Sequence, residues 1–269
     1  IGWRFDDGVE TQSITYGNPG FGATLLGIGD FFGDGQPDLL FESSGGSIFF
    51  WRTQGAAVTA TDPIGTAPAS LQFLGLGDFN GDGRTDILFQ DALGDDVIWS
   101  MEGATVAAQK TIAGPGAGWS FLAAADFTGD GVSDLLFVDS GQYMVETISD
   151  DAVVAGGGTV GDTGSAWTYL GVGDFNGDGK ADILFENNGL YAIWDVSGGQ
   201  LIGGGNIGTP GTNMQFEGIG DLNGNRQASI LFLNTSNGHY ESWEMNDTSL
   251  VANRDLGTPG ADWSFKTMT

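Results

Sequence analysis

GDFNGDGRTDILF, residues 77–89, is a short apolar strand pattern wrapped around an Asp- and Gly-rich loop. It returns as GDFFGDGQPDLLF at 29–41, ADFTGDGVSDLLF at 125–137, GDFNGDGKADILF at 173–185 and GDLNGNRQASILF at 220–232. The leading residues Asp30, Asp78, Asp126, Asp174 and Asp221 are spaced 48, 48, 48 and 47 residues apart. A fixed period of this length marks a repeat architecture. It extends beyond the motif: Trp3, Trp51, Trp99, Trp194 and Trp243 hold matching places, with Glu146 taking that place in the third repeat. Ahead of each motif, Trp119, Trp167 and Trp263 match Ala23, Leu71 and Met214.

Each unit divides into four short strands bounded by Gly, Asn, Asp and Pro. In the second unit these are expected near Gln72–Asp78, Asp86–Gln90, Asp96–Met101 and Thr105–Ile112. The run Ile87-Leu88-Phe89 is continuous rather than alternating, which predicts a strand covered on both faces. No stretch carries a helical period. Four-stranded units of this length point to an all-β fold, a single β-propeller domain over residues 1–269. Residues 1–23 match the last two strands of a unit and 263–268 match a first strand. The expectation is therefore six blades, the last split between the termini and short of one strand, with five or seven as alternatives.

The loops carry the chemistry. Oxygen-bearing residues recur at every second position, which suits a hard cation that takes six to eight oxygen ligands, namely Ca²⁺. In loop two the candidate ligands are Asp78, Asn80, Asp82, the carbonyl of Arg84, and Asp86. Loop three offers Asp126, Thr128, Asp130, the Val132 carbonyl and Asp134; loop four offers Asp174, Asn176, Asp178, the Lys180 carbonyl and Asp182. Loop one has Asp30, Asp34, the Gln36 carbonyl and Asp38, but Phe32 has no ligating side chain, so a weaker site is expected. Loop five, Asp221 to Ser229, keeps a single carboxylate and is expected to be empty, its turn held by amide side chains. About four calcium sites follow. Gly81 and Gly83 are expected at positive φ, where the loop turns tightly.

Composition narrows the function. The chain has 35 acidic residues, 8 basic residues and a net charge of −27. Such a surface repels nucleic acid and anionic membranes. The 13 acids placed in the five loops give much of that charge a local purpose. There are no cysteines, which excludes disulfides, thiolate metal sites and cysteine nucleophiles. No run of about 18 apolar residues exists to span a membrane. No secretory signal pattern is visible and the first residue is Ile1, so removal of an upstream segment is expected. One histidine, His239, sits in a turn and leaves no room for a Ser/His/Asp arrangement. Scarce cations also argue against chemistry on polyanionic sugars.

The five in-phase motifs resemble the FG-GAP/VCBS repeats of bacterial secreted proteins and, more distantly, the calcium-bearing blades of integrin α-subunits. The resemblance covers nearly the whole chain. It implies calcium bound between the first two strands of a blade, and an extracellular or cell-surface bacterial protein. Relatives include lectins, adhesion modules and domains appended to extracellular enzymes. The expected function is thus a non-enzymatic calcium-binding propeller that recognises a glycan or a cell-surface protein. The alternatives are an assembly subunit that docks another protein, and an accessory domain of a carbohydrate-active enzyme. The tryptophan series at 3, 51, 99, 194 and 243 is expected between blades, as core.

Overall fold

The apolar run that follows each Asp-rich loop is buried on both faces, and this fixes the architecture. The computed structural model describes residues 17–20, 22–55, 57–149 and 157–258, with the backbone of Gly2–Asp6, Val9–Ile14 and Ala152–Val153. Five antiparallel four-stranded sheets follow one another along the chain. Blade one is Thr24–Gly29, Asp38–Glu42, Ser47–Gln54 and Ala57–Thr66. Blade two is Gln72–Gly77, Asp86–Gln90, Asp96–Glu102 and Thr105–Ile112. Blade three is Ser120–Ala125, Asp134–Asp139, Gln142–Glu146 and Gly158–Asp162, with a small hairpin, Ile148–Ser149 against Ala152–Val153, before its last strand. Blade four is Thr168–Gly173, Asp182–Asn187, Leu190–Ser197 and Gln200–Gly208. Blade five is Met214–Gly220, Ser229–Asn234, His239–Asn246 and Ser249–Gly257.

Each sheet runs in sequence order, so every connection is a hairpin or a short link. The first strands of successive blades pack against one another from blade one to blade five. Between neighbouring sheets lie four apolar clusters. In the cluster of blades one and two, Ile87 and Phe89 meet Leu40 and Phe50. On the other face of the same strand, Leu88 joins Leu135 and Phe137 of blade three. One strand thus feeds two cores, which is why its sequence does not alternate. The motif phenylalanines Phe31, Phe79, Phe127 and Phe175 are fully buried.

The expected count of six blades is corrected to five. The two N-terminal strands pair with each other as a separate hairpin, and among the described residues no third strand joins them. Strand arithmetic had counted this hairpin as half of a blade. The matching segment 263–268, with Trp263, lies outside the described residues, as does the Trp3 side chain.

Blades are held close by the motif itself. The carbonyl of Asp30 accepts the N–H of Thr85 at 2.8 Å, and the same bond recurs from Ser133 to Asp78, Ala181 to Asp126 and Ala228 to Asp174. A second bond runs from the hairpin of the next blade: Gly103, Gly198 and Asp247 donate to the carbonyls of Phe31, Phe127 and Phe175. The small residue before each leading Asp, glycine except at Ala125, makes room for this approach. A Cβ on Gly77 would lie 2.8 Å from the Ser133 side chain, and one on Gly173 would lie 2.7 Å from the Ala228 Cβ. We therefore expect Gly77→Ala to destabilise the fold by about 1–3 kcal/mol through overpacking. Urea unfolding checks this as a lowered midpoint at unchanged slope.

Candidate metal loops and the blade junctions

Each loop is shaped by its leading aspartate. In loop two, Asp78 Oδ1 accepts the N–H of Gly81 at 2.7 Å and of Asp82 at 3.2 Å, while Oδ2 accepts Gly83 at 2.8 Å. Asp30, Asp126 and Asp174 make the same bonds to Gly33 and Gly35, Gly129 and Gly131, and Gly177 and Gly179. Gly81 and Gly83 sit at φ +72° and +80°, as the tight turn requires. Loop five has the same shape on different chemistry. Asp221 accepts from Gly224 and Arg226, with Arg226 at φ +69° in place of glycine. Asn223 accepts from the N–H of Asn225, and Asn225 from that of Gln227.

The ninth-position aspartates do something that spacing alone does not reveal. Asp86 is buried; its Oδ2 accepts the N–H of Phe79 at 3.1 Å and its Oδ1 that of Met101 at 2.7 Å. Asp134 joins Phe127 to Ile148, and Asp182 joins Phe175 to Val196, in the same way. Asp38 accepts from Thr53. Asp86 and Asp182 latch the start of their loops to the third strand of their own blades, and Asp134 latches its loop to the small hairpin just beyond that strand. Burial pushes Asp182 up to about 7 and Asp134 up to about 6, against the opposing pull of these N–H bonds.

The fifth-position aspartates face outward and attract cations. One oxygen of Asp34, Asp82, Asp130 and Asp178 accepts the N–H two residues on. In three loops the other meets a basic side chain: Arg52 is 3.7 Å from Asp34, Arg84 is 4.0 Å from Asp82, and Lys180 is 3.1 Å from Asp178. Asn80, Thr128 and Asn176 stand at the third position of their loops, and Gln36, Arg84, Val132 and Lys180 at the seventh.

The residue after the tryptophan position on the third strand makes the loops unequal. In blade one it is Arg52, which pairs with Asp34 and lies 4.1 Å over the Phe32 ring. An internal guanidinium thus covers the one loop with a non-ligating third residue. In blade four the same place holds Asp195, which carries a buried oxygen without a partner among the described residues. Burial and then repulsion from Asp247 of blade five push Asp195 up to about 6, and Asp178 adds to the effect. Loop four therefore lies in the more negative field.

The donor set is all oxygen, which fits a hard ion and not a soft one. As placed, no group of three acidic or imidazole side chains among the described residues is arranged to hold a metal ion. The leading and ninth carboxylates are turned onto backbone amides instead. Each still has lone pairs to offer.

Beside loop one an open cleft of about 330 Å³ is lined by Asp34, Arg52, Thr53, Gln54, Thr59 and Ala60. Sequence spacing gave no sign of it, because it needs two hairpin strands brought next to the loop. Trp99 and Trp243 are buried between blades, while Trp51 and Trp194 are partly buried against Phe41 and Phe185. Trp119 and Trp167 are also partly buried, at the margins of two inter-blade clusters. His239 places Nδ1 2.8 Å from Asp255 at the surface. Among the described residues no helix is long and apolar enough to cross a membrane.

The latch can be tested apart from any metal. Asp86→Ala strands two buried N–H groups and is expected to cost about 2–4 kcal/mol in EDTA. Asp82→Ala, on the open side of the same loop, is expected to cost under about 0.5 kcal/mol there. Paired urea titrations in EDTA measure both.

A family model described as an FG-GAP-like repeat matches residues 30–89 and, again, 78–137. No curated protein matches the chain. Among solved structures, a Photorhabdus luminescens Tc holotoxin pore aligns at 15% identity with a TM-score of 0.59, over 91% of this chain and 12% of the toxin chain. A lectin of Agrocybe aegerita, described by its specific recognition of non-reducing terminal N-acetylglucosamine, aligns at 13% identity with a TM-score of 0.54, over 88% of this chain and 80% of its own. At such identities these likenesses show the propeller fold alone. Residues 30–137 thus match the FG-GAP-like repeat directly, and the same motif returns in phase at 173–185 and 220–232.

Proposed function

We propose that this propeller is a secreted or cell-surface, calcium-held scaffold that binds neutral glycan and catalyses no reaction. The observation that carries the calcium half is the outward oxygen of the fifth-position aspartates, which meets a basic side chain in three loops. Ca²⁺ would be held by Asp78, Asn80, Asp82 and the Arg84 carbonyl in loop two, and by the corresponding residues of loops three and four. Asp86, Asp134 and Asp182 would contribute a remaining lone pair while keeping their latches. Loop one would bind more weakly because Phe32 has no ligating side chain, while Arg52 also holds Asp34 as Lys180 holds Asp178.

Calcium supplies charge balance and a tie between the two ends of each loop. The loop main chain is bonded to the next blade, so that tie stiffens the junctions as well. The ion binds the native state and stabilises it by mass action, by about 2.7 kcal/mol per site at a hundredfold excess over Kd. EDTA is expected to lower the melting temperature by many degrees, and excess calcium to restore it. Calorimetry should find about three tighter sites and one weaker site, the weaker one strengthened by Arg52→Ala. An unchanged melt after calcium loss is proven by elemental analysis would refute the stabilising role.

The glycan half is supported by the open cleft beside loop one, lined by the guanidinium of Arg52, the amide of Gln54 and the carboxylate of Asp34. Neutral sugars suit a chain of net charge −27, which repels polyanions. The Agrocybe aegerita lectin shows that a propeller of this general shape can recognise a terminal sugar. A glycan array run in calcium and again in EDTA tests this half. Selective binding weakened at least tenfold by Arg52→Ala supports the cleft. No binding by folded, calcium-loaded protein rejects it. In that case the second reading gains: a docking scaffold using Leu201, Ile202, Leu250 and Val251, apolar residues exposed on the outer strands of blades four and five.

A further inference from the structure

At three blade junctions, one position pair is aromatic or aliphatic. Ile48 of blade one shares a cluster with Trp99 of blade two. Tyr143 of blade three meets Trp194 of blade four, with ring centroids 5.9 Å apart. Tyr191 of blade four shares a cluster with Trp243 of blade five. Strand register identifies the same pair at the junction of blades two and three: Asp96 pairs with Gln90 as Ile48 does with Glu42, and Glu146 pairs with Leu135 as Trp99 does with Ile87. There both members are acids.

Neither acid is satisfied. Asp96 is fully buried; its Oδ1 has a long contact of 3.5 Å with the Gln90 amide, and its Oδ2 has no hydrogen-bond partner. Glu146 buries an oxygen, Oε2, that likewise has none. Burial first, then the charge of Glu146, pushes Asp96 up to about 7, with Asp95 and Asp91 adding to the negative field. Two like charges facing an apolar interface without a counter-ion are strongly unfavourable. The two carboxylates also fill less space than the tyrosine and tryptophan found at the next junction.

We infer that the junction of blades two and three holds a hard cation, of the Ca²⁺ class, between the carboxylates of Asp96 and Glu146. Asp96 lies away from the Asp-rich loops, at the opposite end of blade two from Asp86, while Glu146 reaches in from the loop end of blade three, where it pairs with Leu135. Gln90, beside Asp96, presents its amide Nε2 to Asp96 Oδ1 at 3.5 Å. A cation here joins two blades through their side chains, whereas the loops join them through the main chain.

The test is the number of calcium ions bound per chain, by equilibrium dialysis, together with melting in calcium and in EDTA. Three proteins are compared: wild type, the isosteric Asp96→Asn/Glu146→Gln, and Asp96→Ile/Glu146→Trp, which restores the pair found between blades one and two. Both doubles are expected to bind one ion fewer than wild type. In EDTA the isosteric double should melt above wild type, because buried repulsion is gone; in saturating calcium the order should reverse. An unchanged ion count in a folded double overturns the site, as does a melting difference of the same sign in both conditions. The loop reading fails separately: if Asp82→Asn and Asp178→Asn cost no ions while the isosteric double still costs one, the loops are empty and the junction is not.

Discussion

The bond from the N–H of one blade to the carbonyl of the preceding blade's leading aspartate is the constraint on which the rest depends. It recurs at all four junctions between the five blades, at 2.6–2.8 Å. For that carbonyl to point outward, the loop must curl so that the aspartate side chain captures its own later amides. For the next blade to reach it, the residue before the aspartate must be as small as glycine or, once, alanine at Ala125. A single peptide group thus explains the Gly-Asp start of the motif, the two later glycines and the close packing of first strands. An Asp-rich loop in this fold is therefore also a joint. Blade one marks the end of the series: at the donor position it carries Pro37, which has no N–H to offer.

Much of this was legible in the sequence because its punctuation is local. The strands expected in the second repeat agree with the observed ones to within a residue, since Gly, Asp and Asn bound each of them. Ile87-Leu88-Phe89 announced a strand between two cores and lies in one. The blade count was not legible, because matching a strand pattern says nothing about whether a partner strand pairs with it. The hairpin of Gly2–Asp6 and Val9–Ile14 has the pattern without the completed sheet. The dual character of Asp86, Asp134 and Asp182 was hidden for another reason. Spacing counts oxygen atoms, whereas function depends on which lone pairs the backbone has already used.

The junction acids show the same limit from the other side. Glu146 was visible as a break in the tryptophan series. Asp96 was not, because the apolar series it interrupts, Ile48, Tyr143, Tyr191 and Tyr240, lines up only through strand register. Only strand register shows that the two departures meet across one interface. Repeat proteins are nearly one-dimensional, each unit touching its neighbours, so a polar substitution can persist when its partner changes with it. A buried acid alone would be costly; a pair with a shared cation is not.

The loops themselves are alike in backbone and unlike in charge. One place on the third strand, after the tryptophan position, carries Arg52 in blade one, Ser100 in blade two, Thr147 in blade three, Asp195 in blade four and Glu244 in blade five. An arginine there neutralises its loop and frames a polar cleft; an aspartate there deepens the field of its loop. Glu244 stands by a loop with one carboxylate and pairs instead with Arg254. The fold needs this position only to be accommodated at the edge of the sheet, so its charge is free to vary from blade to blade. That freedom lets the same repeat carry a positive charge beside its loop at one end of the series and negative charges at the other, without any change of backbone.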